Sequence, residues 1–168
     1  AEHRLLFLPV LRIGTLRHSR RFSYRMLLER ISQEARPVMA LAVITATADD
    51  IGRQQYLEAR GWQALVLPRE RCVGINGPRL RTNVDMDLCI EVGCLLATAS
   101  FDVLAVGSGD ADLCVTVARA VARHRPDVGV VTLAVPGSCA RELRTRRDIF
   151  DGHISIGRDL TWPLNRQS

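Results

Sequence analysis

Short apolar runs and longer stretches of helical period alternate along almost the whole chain. Runs of four to eight residues rich in Val, Ile and Leu occur at Leu5 to Val10, Val38 to Ile44, Ala64 to Leu67, Val103 to Val106 and Val128 to Ala134, with a last one at His153 to Ile156. Their length and composition predict strands. Between them Phe22 to Ala35, Asp50 to Arg60, Val84 to Ala99 and Asp110 to His124 repeat apolar residues at helical spacing, and a shorter segment spans Ala140 to Arg146. Strand and helix in regular alternation predict βαβ units: an α/β fold of three layers, αβα, around a central, mostly parallel sheet of Rossmann-like type.

Local punctuation supports these boundaries. Ser23 is placed to cap the first helix, and Arg36-Pro37 ends it, because the residue before proline resists helical geometry. Gly61 stands where a helix C′ glycine belongs, just before the apolar run that Trp62 opens. Trp62 and Phe150 are expected in the core. Pro68 to Thr82 mixes arginines with Gly74, Gly77 and Pro78 and reads as a long basic loop. With no repeat or linker in view, residues 1–157 are expected to form one domain and 158–168 an extended tail.

Composition narrows the partners. The chain has 168 residues, 47% of them hydrophobic, which suffices for one core without disulfides. No apolar run is long enough to span a membrane and no signal-peptide pattern opens the chain, so no membrane association and a cytoplasmic location are expected. All 23 basic residues are arginine and the formal charge is +5. G+C-rich coding explains the absence of lysine, but the positive charge still points to a polyanionic partner. The five cysteines are odd in number and lack CxxC spacing; Cys89, Cys94 and Cys114 read as small core residues. His3, His18, His124 and His153 are scattered, with the spacing of neither a metal site nor a catalytic pair.

The chemistry concentrates at Gly107-Ser108-Gly109-Asp110-Ala111-Asp112, between a strand and a helix. Such a turn lies at the carboxyl edge of a parallel sheet, where open α/β folds bind ligands. Asp110 and Asp112 offer hard oxygen donors for a divalent cation, and a helix N-cap explains one aspartate equally well. A dinucleotide fingerprint fails, because its third glycine would fall at Asp112, whose charge repels a pyrophosphate. Asp85 and Asp87 open the preceding helix about 200° apart around its axis, so only one of them can face the ligand edge.

Asn83-Val84-Asp85, the strand and Gly-Ser-Gly-Asp-Ala-Asp turn, Pro136-Gly137-Ser138, Leu143 and Asp148-Ile149-Phe150, with Tyr56 to Trp62 upstream, together resemble the NYN domain, the LabA-like branch of the PIN-like ribonucleases. The resemblance implies a divalent-metal-dependent ribonuclease that hydrolyses RNA phosphodiester bonds with Mg²⁺ or Mn²⁺. Asp85, Asp110 and Asp112 then match the catalytic and metal-holding acids, with Ser108 as a hydrogen-bonding support and Asp87 as a solvated helix residue. Arg12, Arg69, Arg71, Arg79 and Arg81 are the expected contacts to RNA, single-stranded or structured. A homodimer, or a larger assembly through flanking segments, is left open.

The chain departs from that pattern at its first strand. The family normally ends this strand with an aspartate, and here Leu8-Pro9-Val10-Leu11-Arg12 stands in its place. Asp49 or Asp50 reads equally as a replacement carboxylate and as a helix cap, and Arg12 as a phosphate ligand of a weaker nuclease. The alternative is a catalytically inactive NYN-like domain that binds RNA or a protein partner.

Overall fold

A computed structural model describes residues 4–9, 20–33, 36–46, 51–68, 70–74, 77–81, 84–134, 140–157 and 161–163. Six strands form one wholly parallel sheet: β1 (Arg4–Pro9), β3 (Arg36–Ala46), β4 (Gln63–Pro68), β7 (Val103–Gly107), β8 (Gly129–Ala134) and β9 (Gly152–Ser155), in the spatial order β4-β3-β1-β7-β8-β9. Chain order therefore runs leftward from β1 and then rightward from β7. That reversal is the doubly wound arrangement, with its switch point between β1 and β7.

The helices divide between the two faces. Helices α1 (Tyr24–Ser32) and α2 (Ile51–Glu58) cover one of them, where Tyr24, Leu27, Ile31, Leu57 and Trp62 pack with Ala40, Ala42, Ile44 and Ala105. Helices α3 (Val84–Thr98), α4 (Ala111–His124) and the short α5 (Glu142–Thr145) cover the other, against Leu41, Val43, Leu104, Val106 and Val130. Residues 40 to 44 of β3 thus alternate between two cores, as a strand buried on both faces must. This explains why its sequence reads as a nearly continuous apolar run.

Element ends follow the local chemistry. The Ser23 hydroxyl accepts the Met26 N–H at 3.2 Å and caps α1. Gly61 takes a φ of 81°, in the left-handed region that glycine enters without steric cost, and its N–H donates to the Glu58 carbonyl at 3.0 Å. Trp62 then turns into the core, 2% exposed, its Nε1–H donating to the Tyr24 carbonyl at 3.2 Å and its ring edge-on to Tyr24 at 5.6 Å.

Helix α3 buries Val84, Leu88, Val92 and Leu96, one residue per turn. Its other sides are also largely apolar, with Met86 and Ile90 exposed. Of the cysteines expected in the core, Cys114 is buried, Cys89 half-buried and Cys94 exposed. Cys94 is a correction: an apolar surround in sequence does not reveal which side of an all-round apolar helix meets solvent.

The stretch read as a basic loop is a second correction. Strands β5 (Glu70–Gly74) and β6 (Gly77–Arg81) pair antiparallel, with Gly74 opposite Gly77 at the turn. Gly77 has a φ of 100°, which suits a tight hairpin reversal. Pro78 argued against a strand in the sequence, but a two-stranded ribbon has only edge strands, where proline is tolerated. Two further short strands, β2 (Arg20–Phe22) and β10 (Thr161–Pro163), also pair antiparallel, so residues 161–163 return to the chain's beginning.

The junction between α3 and β7 is held by one arginine. The Arg125 guanidinium makes a two-pronged pair with Asp127, at 2.9 to 3.2 Å, and donates to the carbonyls of Ala99 and Phe101 at 3.4 and 3.3 Å. It also lies 5.6 Å from the centre of the Phe101 ring. Arg125→Lys keeps the charge and loses the fork, because an ammonium is a point donor. We expect a loss of about 1 kcal/mol in urea unfolding, near the worth of one or two net hydrogen bonds.

Candidate functional site

Strand β7 delivers the acidic turn to the sheet's carboxyl edge. It ends at Gly107, and Asp110 follows as the N-cap of α4 in extended geometry, φ −86° and ψ 115°. One carboxylate oxygen, Asp110 Oδ1, accepts the N–H groups of Asp112 at 3.0 Å and Leu113 at 3.3 Å. Ser108 is buried, and its hydroxyl accepts the Asp110 N–H at 3.0 Å. The turn is fixed by its own side chains before any ligand arrives.

The neighbouring acids have different environments. Asp112 is exposed in the first turn of α4; its carboxylate has no capping task, since Asp110 caps the helix. Asp85 and Asp87 both lie half-exposed in the first turn of α3, so burial does not single one out. Burial first, and the Asp85 carboxylate second, push the Cys89 thiol above its ordinary range. Cys89 is thereby kept protonated at neutral pH and is a poor nucleophile or thiolate ligand.

Arginine-bearing segments lie on both flanks. Arg71 lies on β5, and Arg79 and Arg81 on β6, in the hairpin that leaves the end of β4. Arg12, Arg69, Asp49 and Asp50 lie outside the described residues. On the opposite flank, beyond β8, α5 and its exit bring exposed Arg141, Arg144 and Arg147, and Arg146 is paired with Asp148 at 2.7 Å. The Ala140 N–H donates to the Gly109 carbonyl at 3.2 Å, tying the start of α5 to the acidic turn.

A histidine that stood alone in the sequence also belongs to this flank. Thr132, fully buried on β8, is opposite His153 of β9 in register, and its hydroxyl lies 2.8 Å from His153 Nδ1 and 3.2 Å from the Leu143 carbonyl. Thr132 thus engages Nδ1, and Nε2 is the ring nitrogen left for other partners. Burial, then the charges of Arg144 and Arg147, hold His153 below the ordinary histidine range. No local sequence signal announces this group, because strand pairing across 21 residues creates it.

The registers of the strands place the departure in the first strand. Pro9 pairs with Gly107, so β1 ends beside the acidic turn at the switch point itself, with a proline where the resemblance expects an acid. The donor chemistry of Asp85, Asp110 and Asp112 suits Mg²⁺ or Mn²⁺. Among the described residues no group of three or more His, Cys, Asp or Glu side chains forms a ready-made metal site.

A three-layer αβα sandwich with this strand order and a polar turn at its switch point defines a Rossmann-like α/β domain. Within that class the chain belongs to the NYN domain family, whose model matches residues 12–151. The family is of PIN-like nuclease type; its members are typically RNA-associated and usually employ a divalent metal. Among solved structures, a protein of unknown function from Vibrio parahaemolyticus, VPA0982, superposes with a TM-score of 0.71 at 20% identity, over 96% of this chain and 97% of that one. MurG from Acinetobacter baumannii superposes with a TM-score of 0.50 at 9% identity, over 98% of this chain and 44% of that one. At such identities both show the fold alone. A search of curated proteins gives no match. Among the described residues no helix is long and apolar enough to cross a membrane.

Proposed function

We propose that this NYN domain binds the phosphate backbone of RNA across the carboxyl edge of its sheet and holds it without cutting. The observation that carries the reading is the pairing of Pro9 with Gly107: the central strand ends without a carboxylate at the switch point. Proline supplies neither charge nor a side-chain donor, so an acid set of this type lacks a member where the two halves of the sheet meet. Support for RNA comes from the family and from the net charge of +5, with arginine as the sole basic side chain apart from histidine. Arg71, Arg79 and Arg81 on the hairpin are then phosphate contacts, joined by Arg12 and Arg69.

A second reading is favoured by Asp112. Capping explains Asp110 but not an exposed carboxylate two residues later. Asp85, Asp110 and Asp112 would then hold Mg²⁺ or Mn²⁺ in a ribonuclease of NYN type, the ion supplying an activated water and charge neutralisation at the phosphate. Ser108 would keep the turn rigid beneath it.

End-labelled single-stranded RNA, incubated with the protein in Mg²⁺, Mn²⁺ or EDTA, separates the two. We expect retarded RNA of unchanged length in every lane, and the same for Asp110→Asn. Metal-dependent shortening that Asp110→Asn abolishes would overturn the non-cutting reading and install the ribonuclease. RNA that is neither retarded nor cut at low salt would remove both.

A further inference from the structure

We propose that Arg144, Arg147 and His153 form a second phosphate-binding site, lateral to the acidic turn, that takes a backbone phosphate of the same bound RNA strand. The inference rests on the RNA-binding reading and adds to it a specific flank and a direction of travel across the sheet edge.

Position is the first argument. His153 pairs with Thr132, and Thr132 pairs with Val106, the residue before Gly107. The histidine is thus level with Val106 at the end of β7, two strand spacings away, about 10 Å, and the acidic turn starts at the next residue. Helix α5 is fixed over this point by the Ala140 N–H on the Gly109 carbonyl, by buried Leu143, and by the Thr132 hydroxyl on the Leu143 carbonyl. Arg144 follows Leu143 directly, so its guanidinium springs from a rigid base and not from a loose tail.

Charge is the second argument. Arg146 is neutralised by Asp148, whereas Arg144 and Arg147 form no ion pair among the described residues. Both follow Leu143, whose carbonyl the Thr132 hydroxyl holds beside His153, and their charges lower the His153 pKa. Two exposed arginines on the segment held beside a half-buried imidazole add like charge to this flank, and an anion that both can fork onto relieves it. The imidazole is suited to the same anion: with Nδ1 engaged by Thr132, the protonated ring presents Nε2–H as a third donor. A phosphodiester, with two charged oxygens, answers this set. An RNA strand crossing from the hairpin of β5 and β6 over the acidic turn to β9 meets positive charge at both ends and carboxylates in the middle.

The test uses the whole chain and a fluorescent oligouridylate, with binding followed by anisotropy over a range of salt. Arg144→Gln with Arg147→Gln removes two exposed charges and should weaken binding about tenfold at low salt, while the slope of log affinity against log salt falls by about 1.4, or 0.7 per lost contact. Arg119→Gln with Arg123→Gln removes the same charge from α4, with Arg123 about 20 Å along the helix from Asp110, and should change binding little. In the wild type, saturating RNA should raise the midpoint of the His153 ring-proton titration, and inorganic phosphate alone should shift it less. Equal losses in the two double variants, or a His153 titration indifferent to bound RNA, would overturn the second site. A wild type that binds no RNA would instead overturn the RNA-binding reading on which it rests.

Discussion

Trp62→Ala should lower the free energy of unfolding by about 3–5 kcal/mol, the usual cost of emptying a large aromatic site in a packed core. Trp62 is 2% exposed and bridges elements far apart in the chain: it follows α2, opens β4, and meets Tyr24 of α1 both through its ring and through Nε1. Truncation removes the ring's apolar burial, leaves a cavity under α1 and strips the Tyr24 carbonyl of a donor. In a domain of this size, a loss of 3–5 kcal/mol corresponds to a fall in thermal midpoint of roughly 10 °C. Trp62→Phe, which keeps most of the packing and loses the N–H, should cost about 1–2 kcal/mol. Urea denaturation of the three proteins measures both values. Similar stability in all three would mean that the α1 face contributes little to cooperativity.

RNA affinity should fall about 50-fold between 50 and 200 mM monovalent salt. With about four phosphates neutralised on a single strand, the logarithmic slope is about −2.8, and a fourfold salt increase then costs about 1.7 decades. The reason is release of condensed counterions as guanidinium groups replace them. Anisotropy titrations at several salt concentrations give the slope directly. A flat dependence would exclude the arginines of the hairpin and of α5 as the source of binding. Asp110→Asn belongs in the same series, since asparagine is also a good helix cap and the substitution tests charge with little change in fold. It should leave the affinity equal or slightly raised, because a carboxylate near a phosphate only repels it.

Much of the architecture was legible along the chain, for reasons that are local. Ser23, Gly61 and Asp110 mark element ends by hydrogen bonds or dihedral angles set within a few residues, and all three act as the sequence suggests. The inner strands β3, β7 and β8 are near-continuous apolar runs because both sheet faces are covered. Where the local signal was ambiguous the reading failed: Pro78 and the two glycines hid the β5–β6 hairpin, and the all-round apolar surface of α3 hid the exposure of Cys94.

The candidate site divides along the same line. The acidic turn, the excess of arginine and the proline in place of an acid are matters of composition and order, and can be read along the chain. Their spatial relation comes from folding. Parallel pairing sets Pro9 beside Gly107, and the β8–β9 register sets His153 against Thr132. The backbone hydrogen bond from Ala140 to Gly109 brings the arginines of α5 to the edge that the acidic turn occupies. Each of these contacts joins residues separated by tens of positions, and strand register, not local propensity, fixes which of them meet.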